Sequence, residues 1–169
     1  AEQGHLVTAS QFKLKEKTDE AHDLLVSSVP ELLVHENEKE ICVIGKQFHV
    51  TFNKWNGKML TWAYKGLSVI NKGPEMDFWR APIDNDIYNN TKTKPNPTVV
   101  DWKAAKLHLM QENIRLVTYK ITDDRKTVSV NIKGRIGPQT VAWGIETSVV
   151  YHISGSGEIH VEAEGKFVG

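Results

Sequence analysis

One cysteine, Cys42, stands in this chain of 169 residues. A single thiol cannot close an internal disulfide, and its place in the apolar run ICVIG reads as a buried small side chain rather than a reactive group. A surplus of charge is missing too. Lys and Arg together number 21, as do Asp and Glu, so the formal net charge is zero. A protein that grips a phosphate backbone needs a basic excess to displace counterions, and one that lies on an anionic bilayer needs a polybasic face. Balanced charge argues against both. No apolar run approaches the roughly 20 residues that span a membrane. The opening AEQGHLVTAS has neither the basic n-region nor the apolar core of a secretory leader, which bears on compartment only if the protein begins there.

Catalytic and metal-binding signatures are also lacking. No HExxH or comparable spacing gathers the seven histidines, and His35, His49, His108, His152 and His160 read as solvated or singly hydrogen-bonded. No serine lies in a GxSxG elbow, and neither GxGxxG nor a P-loop occurs. Internal repeats and low-complexity tracts are absent as well.

What the chain does have is alternation. In QFHVTFN, Phe48, Val50 and Phe52 share one face. In KTVSVNI, Val128, Val130 and Ile132 do, and in GEIHVEAEG, Ile159, Val161 and Ala163 do. A two-residue period with one apolar side is what a half-buried antiparallel strand requires. Further strands are expected over 7–15, 32–36, 40–44, 58–64, 113–121 and 140–153. Turn chemistry falls between them: Asn56-Gly57 within KWNGK, then TDDRK, then SGSG. The expected fold class is mainly β, an antiparallel sandwich with at most one short helix, capped by Thr98 and running through VVDWKAAKLHLM.

Two stretches interrupt the pattern. Residues 17–30 read as an interdomain linker. The second, about 71–97, contains four prolines and reads as a long irregular connection, a kind of segment that often carries function. Within it lies the densest cluster of chemistry in the chain, DFWRAPIDNDI. There Pro82 forbids regular strand pairing, and Asp84 and Asn85 suit a turn. Two readings stand side by side. In one, Arg80 pairs with Asp84 or Asp86 to lock a buried loop, with Phe78 and Trp79 in the core. In the other, Phe78, Trp79, Arg80, Asp84, Asn85, Asp86 and Tyr88 rim a sugar-sized cleft, with amides and carboxylates for hydroxyl groups and an aromatic face for a sugar ring. A glycosidase needs two carboxyl groups about 5–9.5 Å apart, one of them a proton donor, and nothing near Asp84 and Asp86 makes either a donor. Asp-Asn-Asp lacks the glycine and distal glutamate of a calcium loop. Catalytic and metal-ligating residues are therefore both assigned as none.

DFWRAPIDNDI resembles the FxRAPxDND signature of the C-terminal small-chain domain of large β-galactosidases in glycoside hydrolase family 2. FHVTFNKWNG and LTWAYKG before it are similar to the opening of that domain, and VVDWKAAKLHLM after it to the family's WKAAG stretch. GHLVTASQFKL resembles the last strand of a preceding immunoglobulin-like domain. The resemblance implies three regions: residues 1–16 ending the immunoglobulin-like domain, 17–30 a linker, and 31–169 the first half of a galactose-mutarotase-like supersandwich. By the same resemblance the whole enzyme hydrolyses terminal β-D-galactosides with retention. Its catalytic glutamates lie on a TIM barrel outside this chain, so the chain alone is expected to be inactive. No cofactor is implied in this chain, and any divalent cation would be bound elsewhere in the enzyme. The implied partners are the other domains of an oligomeric parent and a galactoside, with no nucleic acid and no membrane. Residues 88–97 are similar in position to the family's mobile active-site loop, although YNNTKTKPNP departs from the expected glycine-and-serine composition. The chain also reads as truncated, with unpaired sheet edges as sites for self-association. The alternative is a stand-alone carbohydrate-binding or structural sandwich module.

Overall fold

In the computed structural model, which describes residues 29–88 and 97–169, alternation becomes two antiparallel sheets. The first is a five-stranded meander: β1 (Leu33–Glu36), β2 (Glu40–Ile44), β3 (Phe48–Asn53), β4 (Met59–Tyr64) and β5 (Leu67–Ser68). The second, of longer strands, comprises β6 (Met110–Ile121), β7 (Thr127–Pro138), β8 (Gly144–Ser154) and β9 (Ile159–Val168). Between the sheets the chain forms a one-turn helix α1 (Asp84–Ile87), a helix α2 (Thr98–Ala104) and a 3₁₀ turn at Leu107–Leu109. Among the described residues no helix is long and apolar enough to cross a membrane.

The register explains the core. Ile41 pairs with Phe52, Val43 with Val50, Val128 with Ile153 and Val130 with Tyr151. Because side chains alternate across a strand, these pairs put one apolar row on the inner face of each sheet. Leu32, Val43, Val50, Phe52 and Met59 from the first sheet meet Val128, Val130, Ile132, Tyr151 and Ile153 from the second in one buried cluster. At its centre the rings of Phe52 and Tyr151 are tilted, with centroids 5.0 Å apart.

The β3–β4 hairpin tip shows why Asn-Gly was an informative signal. The Asn53 side-chain carbonyl accepts hydrogen bonds from the backbone N–H groups of Trp55 and Asn56, at 2.8 and 3.1 Å. Gly57 follows with φ +67°, a conformation costly to residues carrying a Cβ. A Cβ there would also lie 2.7 Å from Ile132 Cγ2, so the tip is seated on the second sheet.

Several boundaries differ from expectation. The strand expected over 140–153 starts only at Gly144, because residues 139–143 turn the chain back from β7. Strand β6 begins three residues earlier than expected, at Met110, and the two-residue β5 had no alternation to reveal it. Helix α2 has Pro97 at its cap and Thr98 as its first helical residue, and it stops before KLHLM. There Lys106 takes φ +57° and breaks the helix ahead of the 3₁₀ turn. The strand expected over 7–15 and nearly all of the linker over 17–30 lie outside the described residues.

Truncating Phe52 to alanine removes the inner ring from the shared core and leaves Tyr151 unopposed. Phe52→Ala is expected to cost about 3–5 kcal/mol, measured as a fall in the denaturant midpoint with the slope unchanged.

Candidate functional site: an arginine-clamped rim

The segment from Asp77 to Tyr88 is not strand, and its order comes from side chains. The Asp77 carboxylate accepts the Trp79 backbone N–H at 2.9 Å, which turns the chain. Arg80 then reaches six residues forward. Its Nη1 and Nη2 donate to Asp86 Oδ2 and Oδ1 at 2.6 and 3.0 Å, a bidentate fork on one carboxylate. The same Oδ2 accepts the Ile83 N–H at 2.9 Å, so Asp86 also closes the first turn of α1. Arg80 Nη1 donates in addition to the Ala81 carbonyl at 3.2 Å. Pro82 suits this irregular path because it requires no backbone donor.

A second layer comes from α2. The Arg80 guanidinium lies 4.9 Å from the ring centre of Trp102, within cation–π range. Trp79 meets Trp102 edge-on at 6.1 Å and the His108 ring at 5.4 Å. Electrostatics follow from this geometry. The Arg80 hydrogen bonds, helped by the Ile83 N–H, hold the Asp86 carboxyl below the usual carboxylate range, and Asp86 in turn raises the Arg80 guanidinium.

The structure therefore divides the seven residues named from the sequence. Trp79, Arg80 and Asp86 form the clamp, and Asp86 is only 7% exposed. Phe78, Asp84, Asn85 and Tyr88 face outward, with Tyr88 75% exposed. Of the two candidate partners for Arg80, the structure selects Asp86. It does not place Phe78 or Trp79 in the inter-sheet core: Phe78 is exposed, and Trp79 belongs to a separate aromatic cluster. In the sequence His108 reads as solvated or singly hydrogen-bonded, and no local signal singles out Trp102. Only the path of α2 and the following 3₁₀ turn brings them to the clamp. An open recess of about 370 Å³ lies here, lined by Asp77, Phe78, Trp79, Arg80, Trp102 and Leu107. It offers aromatic faces beside one carboxylate and one guanidinium, a combination that can hold a hydroxylated ring. Among the described residues no three His, Cys, Asp or Glu side chains are gathered to hold a metal ion. Residues 89–96 of the expected mobile loop lie outside the described residues.

Because the native Asp86 carboxyl titrates below its unfolded value of about 3.9, its stabilisation of the rim is complete above that pH. It disappears as pH falls through the depressed native value. Asp86→Asn removes the charge at every pH. At neutral pH this variant is expected to be cut by trypsin after Arg80 faster than the wild type, as followed by mass spectrometry of the released fragments.

Comparison with known proteins places this geometry. Residues 44–167 match the family described as beta galactosidase small chain. The chain is 29% identical over 132 residues to a β-galactosidase of Priestia megaterium, covering 78% of this chain and 12% of that protein. It is 25% identical over 168 residues to one from Clostridium acetobutylicum, covering 99% of this chain and 17% of that protein. With the Kluyveromyces lactis β-galactosidase it shares 26% identity over 122 residues, 71% of this chain and 11% of that protein. The chain thus spans less than a fifth of the length of these relatives. The match runs from the end of β2 into β9 and includes the clamped segment, and the chain belongs to the β-galactosidase small-chain family.

Proposed function

We propose that this chain is an accessory domain of a β-galactosidase that hydrolyses terminal β-D-galactosides with retention, and that it shapes the mouth of an active site whose catalytic glutamates lie outside it. The observation that supports this reading is the Arg80–Asp86 fork, which fixes the segment bearing Phe78, Asp84, Asn85 and Tyr88, with Phe78 also lining the aromatic recess. Holding polar groups ahead of substrate arrival spares the entropy of ordering them later.

The clamp also argues against catalysis by the chain itself. A retaining glycosidase needs one carboxyl group that carries a proton and another that attacks. Asp86 is bound by the Arg80 guanidinium and kept ionised, so it is a poor proton donor. The half-supersandwich architecture, the TIM barrel beside it, an oligomeric parent and a cation site elsewhere in that parent belong to this same reading.

Hydrolysis of a chromogenic β-galactoside tests the proposal. The full-length protein is expected to turn over substrate and this chain alone is not. Turnover by the chain alone would overturn the accessory role. Tight galactoside binding by the isolated chain, with an inactive full-length protein, would instead make it a carbohydrate-binding module. In the active parent, Arg80→Ala is expected to lower kcat/KM by about tenfold or more, since small displacements of positioning groups are costly.

A further inference from the structure

Away from the rim, residues 71–77 cross the inner face of the second sheet as a strap. Glu75 fixes it, with Oε1 2.6 Å from Lys58 Nζ and Oε2 2.5 Å from Lys72 Nζ. Gly73 lies so close to β4 that a Cβ there would sit 2.7 Å from Met59 Cβ. Beneath Pro74, Glu75 and Met76 the strap encloses a cavity of about 120 Å³. Its floor is apolar and comes from Ile132, Val149, Val161 and Ala163.

Two polar groups open into this space. Tyr151 is only 4% exposed, and its ring is held against Phe52. Its hydroxyl has no hydrogen-bond partner among the described residues. Glu112 stands at the mouth and forms no ion pair among the described residues, whereas Glu75 beside it is neutralised by two lysines. The charges of Glu75, Glu112, Lys58 and Lys72 balance around the entrance, but both lysines contact Glu75, so Glu112 is the carboxylate there with no ion pair among the described residues. Partial desolvation pushes the Glu112 carboxyl above its usual range, with Glu75 adding to the effect and Lys58 opposing it. Burial, and secondarily Glu112, raises the Tyr151 phenol.

We propose that this cavity is a binding site for a small aliphatic ammonium compound, held between the Glu112 carboxylate and the Tyr151 hydroxyl. The volume matches about four groups the size of a water molecule, the length of a short alkyl chain. An ammonium carries three donors: one for Glu112, one for the Tyr151 oxygen and one for solvent at the mouth. Its hydrogen bond to Glu112 is charge-assisted, and its alkyl body covers Val149 and Ala163. Water alone would satisfy the polar groups but leave the apolar floor wet. A neutral alcohol would cover the floor but give the carboxylate only an uncharged donor.

Saturation-transfer difference NMR on the full-length protein tests this, with n-butylammonium as probe and butan-1-ol as neutral isostere. Saturation of the butylammonium methylene protons is expected, with the alcohol weaker by at least about tenfold, the scale of one lost charge-assisted hydrogen bond. Glu112→Gln is expected to lose a similar factor, and Ala163→Leu, which fills the floor, to lose the signal. No transfer in the wild type would mean a water-filled cavity. Equal binding of alcohol and ammonium would remove the carboxylate from recognition. Binding unaffected in both folded variants would place the ligand elsewhere. Each of these three outcomes overturns the proposal, and the isostere comparison needs only wild-type protein.

Discussion

Contact between the inner faces of the two sheets, centred on Phe52 and Tyr151, is the constraint on which the other features depend. Neither sheet can hide its apolar row alone, since each leaves one face of every strand uncovered. Once the rows meet, the hairpin tip at Gly57 seats against Ile132, and the chain between β5 and β6 first crosses the part of the second sheet that the first leaves uncovered. That detour carries both the strap and the clamped rim. The irregular chemistry of this protein sits in that connection because its backbone joins neither ladder.

The detour is held by charge rather than by burial. Glu75 fixes the strap through Lys58 and Lys72, and Asp86 fixes the rim through Arg80. The two differ in strength of fixation. The strap lysines are single-point ammonium contacts on flexible stems. The rim uses a planar fork, a backbone N–H and an aromatic face at once, so its geometry is determined from several directions. The more rigid device lies where substrate positioning is proposed. The looser one roofs a cavity that a small ligand would have to enter.

The second sheet shows how a β domain shares its surface. On β7 the inner residues from Val128 to Pro138 are buried at every second position, whereas nearly all of β9 is exposed. Strand β9 pairs with β8 on one side only, and Phe167 near its end is 64% exposed, covered on one face by Trp143. An apolar residue on a one-sided strand is a surface on which another element can pack.

Among the described residues the sequence by itself determined the strands other than β5, and the inner faces of the central ones, because a two-residue apolar period admits one burial pattern. It determined the β3–β4 hairpin through Asn56-Gly57, since few residues other than glycine accept the backbone found at Gly57. It also drew attention to Arg80 and Asp86, because a guanidinium and three carboxylates in eleven residues demand pairing. Tertiary structure alone decided which carboxylate Arg80 takes, for Asp84 and Asp86 differ only in the direction each faces on α1. It alone brought Trp102 and His108 to the clamp and Tyr151 to the cavity, across separations of 22 residues or more from Arg80 to Trp102 and beyond. Periodicity describes one strand or helix at a time. Contacts between distant elements depend on how those elements stack, and local pattern does not encode that.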